Sequence, residues 1–420
     1  MTKGSMISKK DRNRLRELAR RQMENAMKES NQKKIKLWYK HNDLQGERPM
    51  LHLELWTFAQ EIIPPLQTCT DPWARAIEYQ LYLNFLNQEL FDDDKVTLLT
   101  YDISYDTWFC LFDIPVLQTF GTDGAGHQTL GQHFEPVIQD LEDDYFKLKE
   151  STFGANMEAA IRQKERLEEI FGDLLPVRLK MDALYSVPTQ MLVHIMSMET
   201  MMYSLYDHPS LFKEMMERIA KDTLKYFDYL EEHHYILPTI SGENLGQGTW
   251  CFNHTLPKGR PGQALKTTDV WGFMDAQETV GLSPDMFKEF IFPCYQKISE
   301  RYGLLSYGCC EPVDPVWDSC ISKLKNLRKV SISPWCNEEF MSERLKGLPV
   351  IYHRKPSPNF LGVGNILDEE GVRAHIRKSL KLARGCSMEI TQRDVYTINH
   401  DLAKARRYVD IIKEEIENLW

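Results

Sequence analysis

Short apolar segments alternate with helical segments along most of this chain, and this alternation constrains the fold more than any other feature. Strand-like composition recurs at 95–101, 176–181, 237–241, 269–274, 303–307, 328–333, 349–353 and 386–391. Strands that alternate with helices predict a parallel sheet, and eight strands favour closure into a (β/α)8 TIM barrel. An open doubly wound sheet is the alternative, although no GxGxxG or Walker-type loop follows any of these segments.

The chain is predicted to divide into an N-terminal helical extension, residues 1–94, that packs on a barrel domain, residues 95–420. The extension begins with a strongly basic amphipathic helix predicted over 7–40. The segment 102–135 is rich in glycine, aspartate and aromatic residues and has no clear period, so we expect an insertion that covers one end of the barrel. The predicted fold class is therefore α/β, with a single TIM barrel.

The overall charge and the cysteines limit the classes of function. A net charge of −10 argues against general nucleic-acid binding, which needs a basic surface. The sequence has no apolar run long enough to span a membrane, and its charged N-terminus does not resemble a secretory signal. Nine scattered cysteines fit free thiols in a reducing compartment better than a disulfide framework. We therefore expect a cytoplasmic enzyme without a nucleic-acid or membrane partner.

Polar residues gather where the predicted strands end, which is the edge that carries the active site in TIM barrels. Purely structural strand ends would not be expected to hold so many ionisable groups. The candidate catalytic residues are Glu243, Asp275, Glu311 and Lys355. The candidate substrate-binding residues are Asn244, Gln277, Trp271, Trp335 and His353. The aromatic side chains fit an apolar or cationic methylated substrate, although core packing explains them at least as well.

The stretch Gly303–Asp314, GLLSYGCCEPVD, places two cysteines and a glutamate directly after a short apolar strand. Zinc prefers thiolate, imidazole and carboxylate ligands, and a catalytic zinc site keeps one open position. The candidate metal ligands are Glu278, Cys309, Cys310 and Cys386. Adjacent residues of a regular strand point to opposite faces, so we expect only one of the paired cysteines, Cys310, to face the barrel mouth. The alternative interpretation is that both are small buried hydrophobic residues.

From about Phe134 to the C-terminus the chain resembles the uroporphyrinogen decarboxylase superfamily, in its cobalamin-dependent methyltransferase branch. The resemblance is carried by FGDLLPVRLKMD, QMLVHIMSMETMMYSLYDHPSLFKEMMERI, LSPDMFKEFIFPCYQKI, YGCCEPVD, SISPW and GCSMEI. It implies a (β/α)8 barrel and a zinc ion bound by a His-x-Cys pair and a distant cysteine. In this sequence the pair corresponds to Tyr307-Gly308-Cys309 and the distant thiol to Cys386. Tyrosine replaces the family histidine, so Glu278 or Cys310 would complete the ligand shell.

The resemblance implies a zinc-dependent methyltransferase component that transfers a methyl group between a small methylated substrate, or a thiol, and a corrinoid protein. Zinc would act as a Lewis acid on the thiol acceptor or on the leaving group of the methyl donor. The methylcobalamin or other corrinoid would be carried by a partner protein, and the superfamily makes a homodimer the expected assembly.

Two other functions stay open on the sequence alone. The first is a metal-free lyase, similar to uroporphyrinogen decarboxylase, that acts on a small carboxylated substrate. Against it, the segment MLHLELW has no arginine at the approximate place where the decarboxylases grip substrate carboxylates. The second is a non-catalytic binding or assembly protein on a barrel scaffold, with the basic N-terminal helix as its contact surface.

Overall fold

A computed structural model describes residues 7–122, 128–259 and 264–420. Its strands are β1 Met50–Leu53, β2 Tyr101–Ser104, β3 Asp106–Cys110, β4 Gln118–Thr122, β5 Gln128–Phe134, β6 Thr152–Asn156, β7 Val177–Lys180, β8 Leu184–Ser186, β9 Asn244–Gly246, β10 Thr249–Trp250, β11 Trp271–Met274, β12 Leu304–Tyr307, β13 Leu327–Ile332, β14 Ile351–Arg354 and β15 Ser387–Gln392. Its helices are α1 Lys9–Met27, α2 Glu29–Asn42, α3 Pro72–Leu90, α4 Met157–Phe171, α5 Pro188–Ile195, α6 Met198–Asp207, α7 Pro209–Glu232, α8 Pro284–Met286, α9 Phe292–Ser299, α10 Asp314–Trp317, α11 Glu338–Leu345, α12 Asn359–Gly362, α13 Glu369–Leu382 and α14 Leu402–Leu419.

A seven-stranded parallel sheet with the order β1-β15-β14-β13-β12-β11-β8 forms the centre of the molecule. A separate parallel pair, β2 and β7, follows the same strand–helix rhythm. The architecture is therefore α/β and TIM-barrel-like, as predicted. Closure of the barrel by hydrogen bonds is not seen, because in the described part of the chain no ladder joins β1 to β2 or β7 to β8. The cavity described below lies at the gap between β1 and β2.

The predicted start of the barrel domain at residue 95 is wrong, because residues 50–53 of the predicted N-terminal extension form an edge strand of the main sheet. Strand β1 pairs in parallel with β15, with Met50 opposite Glu389. The four residues MLHL include no β-branched side chain, and their partner strand lies near the other end of the chain. Only the tertiary pairing identifies them as a strand.

Five of the predicted strands, from 269–274 onward, agree with β11 to β15 to within a few residues. The predicted strand 237–241 is irregular, because β11 pairs directly with β8 and leaves no place for it. The predicted strand 95–101 is also irregular up to residue 100. There the Asn31 side chain bonds both backbone groups of Thr97, each at 2.9 Å, and takes the place of a neighbouring strand.

Several helical segments are short or interrupted in the structure. The basic helix predicted over 7–40 breaks at Lys28, whose ψ of 138° is not helical. The segment 284–302 is interrupted by a π-helical turn, Phe287–Ile291, next to Pro293, which has no N–H to donate. Residues 141–149 and 313–325 contain only short helical turns. The predicted insertion is built from antiparallel pairs, β3 with β6 and β4 with β5, and β6 lies beyond its predicted end.

The N-terminal helices pack against the barrel through buried polar contacts. The Trp38 indole N–H donates to the carbonyl oxygen of Asp94 at 2.7 Å, and the Asn42 amide donates to that of Phe252 at 2.7 Å. His41 Nε2 lies 2.9 Å from the buried Glu389 carboxylate on β15. No helix in the described ranges is long and apolar enough to cross a membrane.

Candidate active site

Six ionisable side chains meet where the parallel strands of the main sheet end. We call this set the mouth cluster; its members are Asp275, Cys309, Cys310, Glu311, Lys355 and Arg393. They follow β11, β12, β14 and β15, whose carboxyl ends lie at one edge because the strands are parallel. This is the edge at which TIM-barrel enzymes carry their chemistry.

Asp275 is a buried carboxylic acid in the mouth cluster. Its side chain is 3% exposed, and within the described ranges its Oδ1 has no hydrogen-bond partner. Burial raises the pKa of Asp275 to about 9, and the nearby Glu311 carboxylate and Cys309 contribute in the same direction. Asp275 is therefore protonated at neutral pH. A buried acid that holds its proton at pH 7 can donate it to a reacting group.

Cys309 and Cys310 leave the regular strand at Gly308, whose φ of 98° turns the chain. Their sulfur atoms lie 3.6 Å apart, with the Cys309 thiol placed to donate to Cys310. This hydrogen bond lowers the pKa of Cys310 and raises the pKa of Cys309, so the thiolate is favoured at Cys310. The expectation that the two side chains point to opposite faces is wrong, because the pair lies beyond the end of β12. Both cysteines belong to the mouth cluster, and Cys310 is the more exposed of the two.

Two cations in the mouth cluster share one neutral oxygen. Lys355 Nζ donates to Gln247 Oε1 at 2.8 Å and to the carbonyl oxygen of Cys309 at 3.0 Å. The Arg393 guanidinium donates to the same Gln247 oxygen. Burial lowers the pKa of Lys355, and the positive charge of Arg393 lowers it further. An oxygen-rich or anionic substrate group can take the place of the Gln247 amide oxygen at this point.

Gln247 reaches the mouth because it lies in the tight turn of the β9–β10 hairpin. Gln247 and Gly248 have φ values of 56° and 77°. A Cβ on Gly248 would lie 2.4 Å from the Thr391 Cγ2, so only glycine fits this approach. The Gly248 carbonyl oxygen lies 2.7 Å from His52 Nδ1. The hairpin turn therefore lies between the mouth cluster and strand β1.

A cavity of about 620 Å³ lies on the other side of this turn, at the break between β1 and β2. It is large enough for a substrate of moderate size. Its lining includes His52 of β1, Glu54 directly after β1, Lys95, and Trp250 of the hairpin. Glu54 connects the cavity with the mouth cluster, because its Oε2 lies 3.4 Å from Arg393 Nε. We treat the cavity and the mouth cluster as one candidate active site.

Of the predicted catalytic residues, Asp275, Glu311 and Lys355 meet in the mouth cluster, but Glu243 does not. The Glu311 carboxylate accepts hydrogen bonds from the backbone N–H groups of Cys309, at 2.8 Å, and Ala276, at 3.1 Å. It thereby holds the loop after β12. Glu243 is buried in a 2.8 Å ion pair with Arg178, and its position indicates a structural role.

Two predicted substrate-binding residues are core side chains. The Trp271 indole donates to the carbonyl oxygen of Cys251 at 2.9 Å and is fully buried. His353 Nε2 lies 2.8 Å from the Thr391 hydroxyl, and its Nδ1 lies 3.2 Å from Glu389. Lys329 Nζ completes this buried network by donating to Glu389 at 2.8 Å. The network packs the barrel interior.

The other three predicted substrate-binding residues lie at the surface or the cavity wall. Trp335 is 67% exposed, which leaves no apolar wall at that point. Asn244 lines the cavity, and its side chain accepts from the Gly246 N–H at 2.9 Å. Gln277 begins the short helical turn Gln277–Thr279 after Asp275 and is half-buried.

The four predicted metal ligands do not converge. Cys386 precedes β15, at the opposite edge of the sheet from Cys309 and Cys310, and the six-residue strand is about 20 Å long. The Glu278 carboxylate accepts from the Thr189 hydroxyl at 2.8 Å. In residues 7–122, 128–259 and 264–420, no three His, Cys, Asp or Glu side chains are arranged to hold a metal ion. The predicted zinc ligand set does not fit this structure.

Four residues of the candidate site were missed by sequence reasoning: His52, Glu54, Gln247 and Arg393. Arg393 directly follows β15, so a more accurate strand end would have identified it. His52 and Glu54 lie in MLHLELW, which was not recognised as a strand. Gln247 has no signal in its own segment, because its role depends on where the hairpin turn lies.

Comparisons with protein-family models and with curated proteins find no match. Among solved structures, a methyltransferase from Methanosarcina mazei matches with a TM-score of 0.50 and 13% sequence identity. The match covers 91% of this chain and 98% of that chain. At this identity the likeness concerns the fold alone, and it extends over nearly the whole length of both chains.

Proposed function

We propose that the protein is a methyltransferase that moves a methyl group between a small methylated substrate and a corrinoid acceptor carried by a partner protein. The proposal rests chiefly on Asp275, a buried acid that keeps its proton at neutral pH beside two cations at the ends of the strands. Transfer of a methyl group away from oxygen or nitrogen leaves a basic heteroatom that needs a proton. The mouth cluster can supply one.

The step is a displacement at the methyl carbon. The bond between that carbon and the donor heteroatom breaks while a new bond forms to the nucleophile of the acceptor. The heteroatom leaves with the former bonding electrons and takes the proton of Asp275. Lys355 and Arg393 stabilise the negative charge that develops on the leaving atom and on Asp275. Because the predicted zinc ligands do not converge, no step of this proposal passes through zinc.

The test uses the purified chain, free cob(I)alamin as the acceptor and a panel of O-methyl and N-methyl compounds. Formation of methylcobalamin is followed by its absorbance. We expect a substrate-dependent rate that falls about 100-fold or more in Asp275→Asn, in line with the usual contribution of a general acid. Glu165→Gln is the matched control, because Glu165 is an exposed carboxylate on α4. Absence of transfer with every donor, or full activity of Asp275→Asn, would refute the proposal.

A second candidate function is favoured by the pair of cations that converge on the Gln247 oxygen. Lys355 and Arg393 could bind the carboxylate of a substrate, and Asp275 could protonate the carbon after loss of carbon dioxide. This is the decarboxylase-type lyase. It predicts release of carbon dioxide from a carboxylated substrate without any methyl acceptor, so the same purified protein distinguishes the two reactions.

A further inference from the structure

The strands β4 and β5 form a two-stranded antiparallel ribbon, in which Thr119 lies opposite His133. The ribbon is a sheet of its own, and in the ranges that the structure describes β4 pairs with no strand other than β5. The outer edge of β4 therefore presents a row of backbone N–H and C=O groups without a neighbouring strand. A two-stranded ribbon is only marginally stable in water, and further strands stabilise it. This edge is a place where another strand can bind.

Apolar side chains are exposed along the same segment. Leu117, directly before β4, is 55% exposed, and Phe120 in β4 is 41% exposed. Strand edges that stay in water usually carry lysine, another charged residue or proline, which prevent pairing with a second chain. The sequence of β4, QTFGT, contains none of these. The edge of β4 therefore has the composition of a contact surface.

The distribution of charge indicates which partner this surface fits. Residues 114–134 include one charged residue, Asp123, although 27% of the residues in the whole chain are charged. The chain has a net charge of −10, so two copies repel each other and can meet most easily where the surface is uncharged. A strongly charged partner would instead be matched by residues of the opposite charge. The uncharged segment fits a second copy of this chain.

Two-fold symmetry is compatible with pairing between two β4 edges. A two-fold axis brings the same surface of both copies together, and identical strand edges that meet across it run antiparallel. An antiparallel ladder is also the kind that β4 forms with β5. Pairing of the two edges gives a four-stranded sheet, which exceeds the two strands that are marginal on their own. The same contact covers part of Leu117 and Phe120.

We propose that the protein forms a two-fold symmetric homodimer through the β4–β5 ribbon, in which the outer edge of β4 pairs antiparallel with the same edge of the second copy. The proposal does not depend on the proposed methyltransferase function. Because the paired strands are short, the contact is smaller than a standard interface, and we expect a reversible dimer with a dissociation constant of about 1–100 μM.

The first test is sedimentation of the unmodified protein over a range of concentrations that spans about 1–200 μM. We expect the mass to rise with concentration from that of one chain, 49.2 kDa, towards twice that value. A single-chain mass at every concentration would refute the proposal.

Two variants locate the contact. Leu117→Glu and Phe120→Glu each place a negative charge beside the same charge on the second copy, and each is expected to weaken association at least 10-fold. Ile366→Glu is the matched control, because Ile366 is 89% exposed but lies between α12 and α13, outside the ribbon. Circular dichroism establishes that the variants are folded. If both ribbon variants associate normally, or the control weakens association equally, the ribbon is not the contact and the proposal is overturned.

Hydrogen exchange tests the strand pairing itself. The backbone amides of Gln118–Thr122 are compared between the unmodified dimer and the single-chain Phe120→Glu variant. We expect exchange in this segment to be at least 10-fold slower in the dimer, because the outer edge of β4 is then hydrogen-bonded. Equal exchange in the two states places the interface elsewhere and overturns the proposal. Neither measurement involves methyl transfer, so failure of the proposed function leaves the dimer proposal intact, and the reverse also holds.

Discussion

Replacing Asp275 with asparagine should raise the free energy of unfolding, and this increase should become larger as the pH rises. The carboxyl group has a pKa of about 9 in the folded protein and an ordinary value of 3.8, so the folded state holds a proton that the unfolded state releases. A carboxyl group whose pKa is raised in the folded state does not oppose folding at low pH, where it is protonated in both the folded and the unfolded state. Between about pH 4 and pH 9 the unfolded state binds fewer protons, and the free energy of unfolding falls as pH rises.

The size of the effect follows from the pH interval. One pH unit corresponds to about 1.4 kcal/mol for one proton, so from pH 5 to pH 8 the Asp275 proton costs the native protein about 4 kcal/mol of stability. The amide of Asp275→Asn does not titrate and fills nearly the same space. The difference in unfolding free energy between the variant and the native protein should therefore grow by about 4 kcal/mol over this interval.

The assay is urea denaturation of both proteins at pH 5, 6.5 and 8, followed by circular dichroism and tryptophan fluorescence. Comparing the two proteins at each pH cancels the titration of most other groups. Glu165→Gln serves as the control for loss of an exposed carboxylate and should show no such growth. If the native protein and Asp275→Asn have the same dependence on pH, Asp275 is ionised in the folded protein and cannot act as the proposed acid.

Three further predictions concern residues other than Asp275. Glu243→Gln should lower the free energy of unfolding by about 1–2 kcal/mol, because Arg178 is partly exposed and keeps its ion pair with Asp102, while the activity of the folded fraction stays unchanged. Gly248→Ala should destabilise the protein by about 2 kcal/mol or more and slow methyl transfer, since the added Cβ meets Thr391; thermal melting and the cob(I)alamin assay measure both. Cys386→Ser should leave metal content and methyl transfer unchanged, as elemental analysis and the cob(I)alamin assay would show, and a loss of bound zinc would contradict the observed position of Cys386.

Sequence patterns were sufficient for the strands of the barrel half of the chain. The strands β11 to β15 follow from apolar runs and turn residues that lie within a few residues of one another, whereas the helical segments between them are shorter or interrupted, as at the π-helical turn Phe287–Ile291. The residues that end those strands, Asp275, Cys309, Cys310, Glu311 and Lys355, could be placed at one edge for the same reason, since parallel strands share their direction.

The sequence by itself therefore determined the fold class and five of the six members of the mouth cluster, all except Arg393. Tertiary structure decided the rest, because those features depend on pairing between distant segments. Strand β1 forms only because it pairs with β15. Cys386 was assigned to the wrong end of the sheet, because a sequence motif does not show which end of a strand lies at the site. Gln247 enters the mouth only because a hairpin turn fits between Thr391 and His52. The cavity exists because β1 and β2 do not pair, which no local pattern in either segment expresses.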